Sequence, residues 1–149
     1  MLPQQVVTAD VQATLHEVAA KMRSHQVGVI PILDNGRLAG VVTDRDIVVR
    51  ALALAPDCRG LVARDVLSAH PVTIQDDADI EDAAVLMRHH RLHRLVVLRE
   101  NGTVRGVVSL TDLSLLGPDA FEVLRRLSEG PVSDQFPEEC LAMPALLAQ

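Results

Sequence analysis

The amino-acid sequence predicts an α/β chain in which one β-α-β-β-α unit occurs twice. Three observations carry that expectation. The chain repeats itself: Val7-Thr8 returns as Val72-Thr73, and Ala19, Met22, Arg23 and His25 return as Ala84, Met87, Arg88 and His90, all 65 residues later. A register held over that many residue types marks a repeat architecture. Each copy also alternates short β-branched runs with an apolar stripe at helical spacing. Finally, Gly40-Val41-Val42-Thr43-Asp44-Arg45-Asp46 is matched by Gly106-Val107-Val108-Ser109-Leu110-Thr111-Asp112, now 66 residues on, so the second copy carries one inserted residue. Both stretches read as a buried strand running into a helix, with a hydroxyl residue at the junction and an Asp three positions later.

Within each copy, Val6-Val7-Thr8 and the segment at Val72-Thr73 read as short first strands. Thr14-Leu15-His16-Glu17 is a capping box, the Thr hydroxyl accepting from the first turn while Glu17 reaches back. Leu15, Val18, Ala19 and Met22 follow as one helical stripe; Asp79 takes the cap position in the second copy, before Ile80, Ala83, Ala84 and Met87. These helices should end near residues 24–26 and 89–91. Val29-Ile30-Pro31-Ile32-Leu33 and Leu95-Val96-Val97-Leu98 are short, apolar and β-branched, hence buried strands. Pro31 lacks an N–H and belongs at a strand start or an edge. Asn35-Gly36 and Asn101-Gly102 signal hairpins, since both residue types tolerate positive φ. Residues 38–42 and 104–108 return as partner strands, and second helices follow over about residues 44–54 and 110–116. A loop at residues 56–60 and a short helix over residues 61–67 join the copies. Pro118 and Gly130 bound a further helix at residues 118–129, and residues 137–149 form an apolar tail interrupted by Pro144.

Composition narrows the functional classes. Among 149 residues, 48% are hydrophobic and only 1% aromatic, so the core must be aliphatic, and the aromatic platforms that stack single-stranded bases are missing. The formal net charge of -6 lacks the basic balance of a nucleic-acid binder, so no nucleic-acid partner is expected. No apolar run approaches the roughly 20 residues of a membrane helix, and the first residues lack the basic and apolar parts of a signal peptide; the expectation is a soluble, cytoplasmic protein with no membrane partner. Cys58 and Cys140 have no Cys-x-x-Cys spacing and read as free thiols, with a redox-sensitive pair as the sharper alternative. No nucleophile elbow, phosphate-cradling Gly-x-x-x-x-Gly-Lys loop or Cys-His nucleophile is present, so no catalytic residue is assigned and no enzyme is expected.

The repeated strand-to-helix motif, the Val29-Ile30-Pro31-Ile32 strand and the Asn-Gly hairpins together resemble the CBS domain, two of which in tandem form a Bateman module. The resemblance covers about residues 5–117 and is similar, more narrowly, to stand-alone two-CBS proteins of the hypoxic-response type, in which a Thr-Asp-Arg-Asp helix start is common. It implies a tandem CBS pair with pseudo-twofold symmetry: a first domain at residues 1–57, a second at 58–117, and a C-terminal helix and tail at 118–149. The family often has Pro where Val96 stands. The resemblance also implies a homodimer, for which helical faces near Ala19, Ala84 and the second helices remain.

The junctions suit a nucleotide. A helix start offers unpaired N–H groups that favour an anion, and an Asp supplies acceptors for a ribose cis-diol, as acidic residues do in dinucleotide folds. By resemblance, Thr43 and Ser109 would contact phosphate, and Asp46 and Asp112 the ribose. Backbone around Gly28, Val29 and Ile30, and around His93, Arg94 and Leu95, would meet adenine, with Thr8 and Thr73 lining the same clefts between the repeats. Arg45 would reach a phosphate or stay solvated. The competing reading needs no ligand: Thr43 and Ser109 are good N-caps, and each Asp completes a capping pair. The basic run from Arg88 to Arg94 complements a helix C-terminus or rims a phosphate site; His89 and His93 have zinc spacing but no evident third ligand, and no metal is assigned. The resulting expectation is a regulatory sensor that needs no cofactor, binds AMP or ATP as a regulatory ligand, and relays occupancy to a downstream protein of unknown identity. The alternative is a ligand-free dimeric scaffold, redox-responsive through Cys58 or Cys140.

Overall fold

A computed structural model describes residues 6–55 and 57–115. Packing divides it into two compact units after Pro71, one formed by Val7–Pro71 and one from Val72 onward. The helix expected over residues 118–129 and the tail at residues 137–149 lie outside the described residues.

The first unit runs β1 (Ala9–Asp10), α1 (Leu15–His25), β2 (Val29–Asp34), β3 (Arg37–Thr43), α2 (Asp44–Asp46) continuing as a π-helical turn (Ile47–Leu52), α3 (Ala63–Val66) and β4 (Ser68–Ala69). Its sheet has the order β1-β2-β3-β4, with β1 parallel to β2 and the other pairs antiparallel. The second unit runs β5 (Thr73–Gln75), α4 (Ile80–His90), β6 (Arg94–Leu98), β7 (Val104–Ser109) and α5 (Leu110–Ser114), its sheet in the order β5-β6-β7. Both are the β-α-β-β-α unit that the repeat predicts.

The first helices form where the stripe and caps place them. In α1, Thr14 Oγ1 accepts from Glu17 N–H at 3.2 Å, while Glu17 Oε2 accepts from Thr14 N–H at 2.7 Å. The Thr14 N–H and, at 3.0 Å, the Thr14 hydroxyl both donate to Glu17 Oε2 and hold its carboxyl below its ordinary range. Asp79 occupies the N-cap of α4 but makes no side-chain capping bond. Both helices end on a left-handed residue, Gln26 (φ 54°) and Arg91 (φ 53°), whose N–H caps the last carbonyls. Leu15, Val18 and Met22 enter one core with Ile30, Ile32 and Val42; Ala83, Ala84 and Met87 enter the other with Leu95, Val97 and Val108. Ala19 and Ile80, expected on these stripes, are exposed instead. Ala84, expected on a face left open for a partner, is buried.

Four further features differ from the sequence reading. The first strand is not Val6–Thr8 but Ala9–Asp10. Pro31 is neither at a strand start nor on an edge strand: it lies within β2, the second strand of a four-stranded sheet. The two Asn-Gly hairpins are not alike. Asn35 (φ 50°) and Gly36 (φ 79°) form a two-residue loop between the paired Asp34 and Arg37, whereas in the second unit only Gly102 (φ 79°) has positive φ and Glu100 lengthens the loop to three residues. The inserted residue of the second copy is thereby located. Lastly, the segment joining the copies carries β4 as well as a helix, and Leu61, Ala63 and Val66 pack in the core of the first unit.

Candidate functional site

The junction of β3 with α2 is closed by a reciprocal pair of hydrogen bonds. Thr43 Oγ1 accepts from Asp46 N–H at 3.0 Å, and Asp46 Oδ2 accepts from Thr43 N–H at 2.8 Å. Asp44 N–H, at the start of the helix, donates to the carbonyl of Gly28 at 3.0 Å. The second unit repeats this at β7 and α5: Ser109 Oγ accepts from Asp112 N–H at 3.1 Å, Asp112 Oδ2 accepts from Ser109 N–H at 2.8 Å, and Leu110 N–H donates to His93 O at 2.8 Å. The capping reading of both motifs is therefore correct.

Capping uses only part of each side chain, and the two junctions differ in what remains. Asp46 is 6% exposed, and its Oδ1 lies 3.6 Å from Arg50 Nε. Asp112 is exposed, and among the described residues its Oδ1 has no protein partner. The hydroxyls differ in the opposite sense. Ser109 Oγ donates its proton to Asp112 Oδ2 at 2.7 Å, whereas among the described residues no acceptor engages the Thr43 hydroxyl proton. A carboxylate oxygen is thus open in the second unit and a hydroxyl donor in the first.

The remaining predicted residues distribute as follows. Register sets Val29 opposite Thr43 and Arg94 opposite Ser109, so Gly28, Val29, His93 and Arg94 stand beside their junctions. The side chains of Ile30 and Leu95 are buried, leaving only their backbone to face a ligand. Thr8 and Thr73 lie at the other side of the central strand: Thr73 pairs with Val96 in β5, while Thr8 precedes β1 and its carbonyl accepts from Lys21 Nζ at 2.6 Å. Arg45, His93 and Arg94 are exposed. His89 and His90 meet edge to face at 4.8 Å, and among the described residues no three His, Cys, Asp or Glu side chains gather as a metal site would require. Cys58 is half-buried and its thiol donates to Ala55 O at 3.3 Å; Cys140 lies outside the described residues. No described helix is long and apolar enough to cross a membrane.

One residue at the first junction escaped the sequence reading. Arg50, within the π-helical turn, contacts Asp46 and also donates from Nη1 to the carbonyls of Val66 at 3.1 Å and Leu67 at 3.3 Å. The Asp46-x-x-x-Arg50 spacing is an i,i+4 ion-pair signal; the carbonyl partners, 16 and 17 residues away, leave no local trace in sequence.

The profile of the CBS domain matches residues 2–52 and 63–116. The CBS domain-containing protein YhcV of Bacillus subtilis (strain 168) is 38% identical over 111 residues, which cover 74% of this chain and 78% of that protein. Hypoxic response protein 1 of Mycobacterium tuberculosis is 33% identical over 102 residues, covering 68% of this chain and 71% of that protein. The crystal structure of Hypoxic Response Protein I with two coordinated zinc ions superposes with a TM-score of 0.67 at 31% identity, covering 76% and 92% of the two chains. The CBS domain protein PAE2072 of Pyrobaculum aerophilum, complexed with AMP, gives a TM-score of 0.67 at 29% identity over 85% of this chain and 95% of that one.

Proposed function

Because this chain belongs to the CBS domain family, as a tandem pair of the hypoxic-response type, we propose that it is a non-catalytic regulatory module that binds an adenosine nucleotide of the AMP or ATP class at its strand-to-helix junctions and relays occupancy to a partner. The observation that carries this reading is the Asp112 side chain. It caps α5 through Oδ2 alone and leaves Oδ1 toward solvent. A carboxylate oxygen so placed accepts from a ribose hydroxyl without dismantling the helix start. The Thr43 hydroxyl, whose oxygen alone is used by the cap, retains a proton for phosphate. Arg45 and Arg94, exposed beside the two junctions, supply cationic charge suited to phosphate and the exposed His93 adds a ring N–H donor, with Gly28, Val29, Ile30 and Leu95 offering backbone to the base and Thr8 and Thr73 completing the proposed sites. The AMP complex of PAE2072 supports the adenosine class.

A regulatory ligand acts only through different affinity for two states of its receptor. A homodimer supplies the second surface in this reading, and the exposed Val48, Val49, Leu52 and Leu54 along and just beyond the π-helical turn support it. Thermal unfolding of the wild-type chain with AMP, ATP, S-adenosylmethionine or NADH tests the proposal. AMP or ATP should raise Tm, by the equivalent of about 2.7 kcal/mol at a hundredfold excess over Kd. Asp112→Asn should weaken binding about tenfold or more, as for loss of a hydrogen bond to a charged group. If no nucleotide raises Tm, the chain is the ligand-free scaffold.

A further inference from the structure

Arg50 joins two parts of the first unit that the fold brings together from distant sequence. Its Nε faces the Asp46 carboxylate at 3.6 Å, and its Nη1 donates to the carbonyls of Val66 and Leu67. Those carbonyls end α3 and lead directly into β4, where Ser68 and Ala69 pair with Val41 and Gly40 of β3. The contact is shielded: the side chains of Arg50 and Asp46 are 18% and 7% exposed. A guanidinium is planar, with donors in fixed directions, so the carboxylate and the two carbonyls each constrain its placement. Withdrawing the carboxylate charge leaves a largely buried cation without that counter-charge, which is costly. The turn that carries Arg50 is π-helical, with Ala53 N–H reaching Val48 O at 2.9 Å, a geometry frequent at functional positions. In the second copy the repeat register places Leu116 at the equivalent position, so the device belongs to the first copy alone.

We infer that Arg50 is a positioning residue that couples the state of the Asp46 carboxylate to the connection between the repeats at residues 66–69. When the carboxylate is neutral, or turned to a ligand, the guanidinium loosens from the Val66 and Leu67 carbonyls and the hold of β4 on β3 weakens. The ligand-driven half rests on the nucleotide reading above; the coupling itself does not.

Amide hydrogen exchange over residues 66–69 of the full chain reads it directly. Asp46→Asn keeps an oxygen to accept from Thr43 N–H while removing the charge, and Arg50→Met removes the guanidinium. Each should speed exchange at residues 66–69 about tenfold, the scale of a lost charge-assisted hydrogen bond, while the amide of Asp46 stays protected. The double variant should exchange no faster than either single one, because both remove the same link. Unchanged exchange in Asp46→Asn, or effects that multiply in the double variant, would overturn the inference. Should Arg50→Met not fold, Arg50→Lys, which keeps the charge but not the fork, takes its place in the cycle with the same expectation. AMP should speed exchange at residues 66–69 in the wild type and leave it unchanged in the Arg50 variant while still binding; an equal response in both overturns the coupling. Absence of AMP binding to the wild type overturns the nucleotide reading instead, and the ligand-free cycle then decides the coupling.

Discussion

At position 40 a methyl group would overlap the carbonyl oxygen of Ser68 and come within 2.7 Å of Leu67 Cδ1, whereas at position 106 it would meet nothing within 4 Å. The two glycines open the same motif in the two copies, yet only Gly40 is demanded by packing, because β4 lies against β3 there. Gly40→Ala should therefore cost about 1–3 kcal/mol, the scale of overpacking a filled site, and Gly106→Ala should stay within about 0.5 kcal/mol. Urea midpoints of the two variants check this, and equal losses would contradict it. The same contrast holds at Asp46 and Asp112. Both were legible as caps and as ribose candidates, since Thr-x-x-Asp and Ser-x-x-Asp are local patterns. What separates them is burial on one side and exposure on the other: the Asp46–Arg50 spacing is local, but the Val66 and Leu67 carbonyls that hold Arg50 over Asp46 are distant in sequence and were not legible.

Among the elements, the first strands show how one imino acid changes a ladder. Val11 N–H donates to Leu33 O, and Asp76 N–H to Leu98 O, so the two parallel pairs share one register. In that register the next N–H of β2 belongs to residue 31, where proline has none, and β1 stops at Ala9 opposite Ile32. In the second copy Val96 supplies the N–H, and β5 gains Thr73 opposite Val96. The missing donor faces β1 and not β3, which is how a proline is accommodated inside a four-stranded sheet. Pro31→Val should lengthen β1 by one residue; amide exchange should show a newly protected N–H at position 31, and a freely exchanging amide there would contradict the account. Net stability should change by no more than about 1 kcal/mol, since the gained bond is offset by the greater freedom of the unfolded chain. The first helices and central hairpin strands were readable because their periodicity and caps are local. β4 was not, since two residues, Ser68 and Ala69, carry no alternation and their pairing exists only because Gly40 leaves room. The π-helical turn likewise has no periodic signature.

For the whole molecule, the repeat was the most informative signal, because two copies of one pattern fix an architecture that neither motif fixes alone. Each unit has its own aliphatic core, built from Val, Ile, Leu, Ala and Met side chains, as the scarcity of aromatic residues requires. The copies have diverged in a consistent direction: the first holds its carboxylate against Arg50, and the second leaves its carboxylate open. In the proposed sensor Asp112 would meet ribose in the second unit, and a ligand that turned Asp46 would act through the Arg50 contact in the first. Calorimetric titration of AMP into the wild-type chain and into Asp112→Asn tests that claim most directly. The wild type should bind saturably, and the variant with an affinity at least about tenfold weaker. Identical isotherms for the two proteins, or no heat of binding in the wild type with AMP or ATP, would contradict the claim.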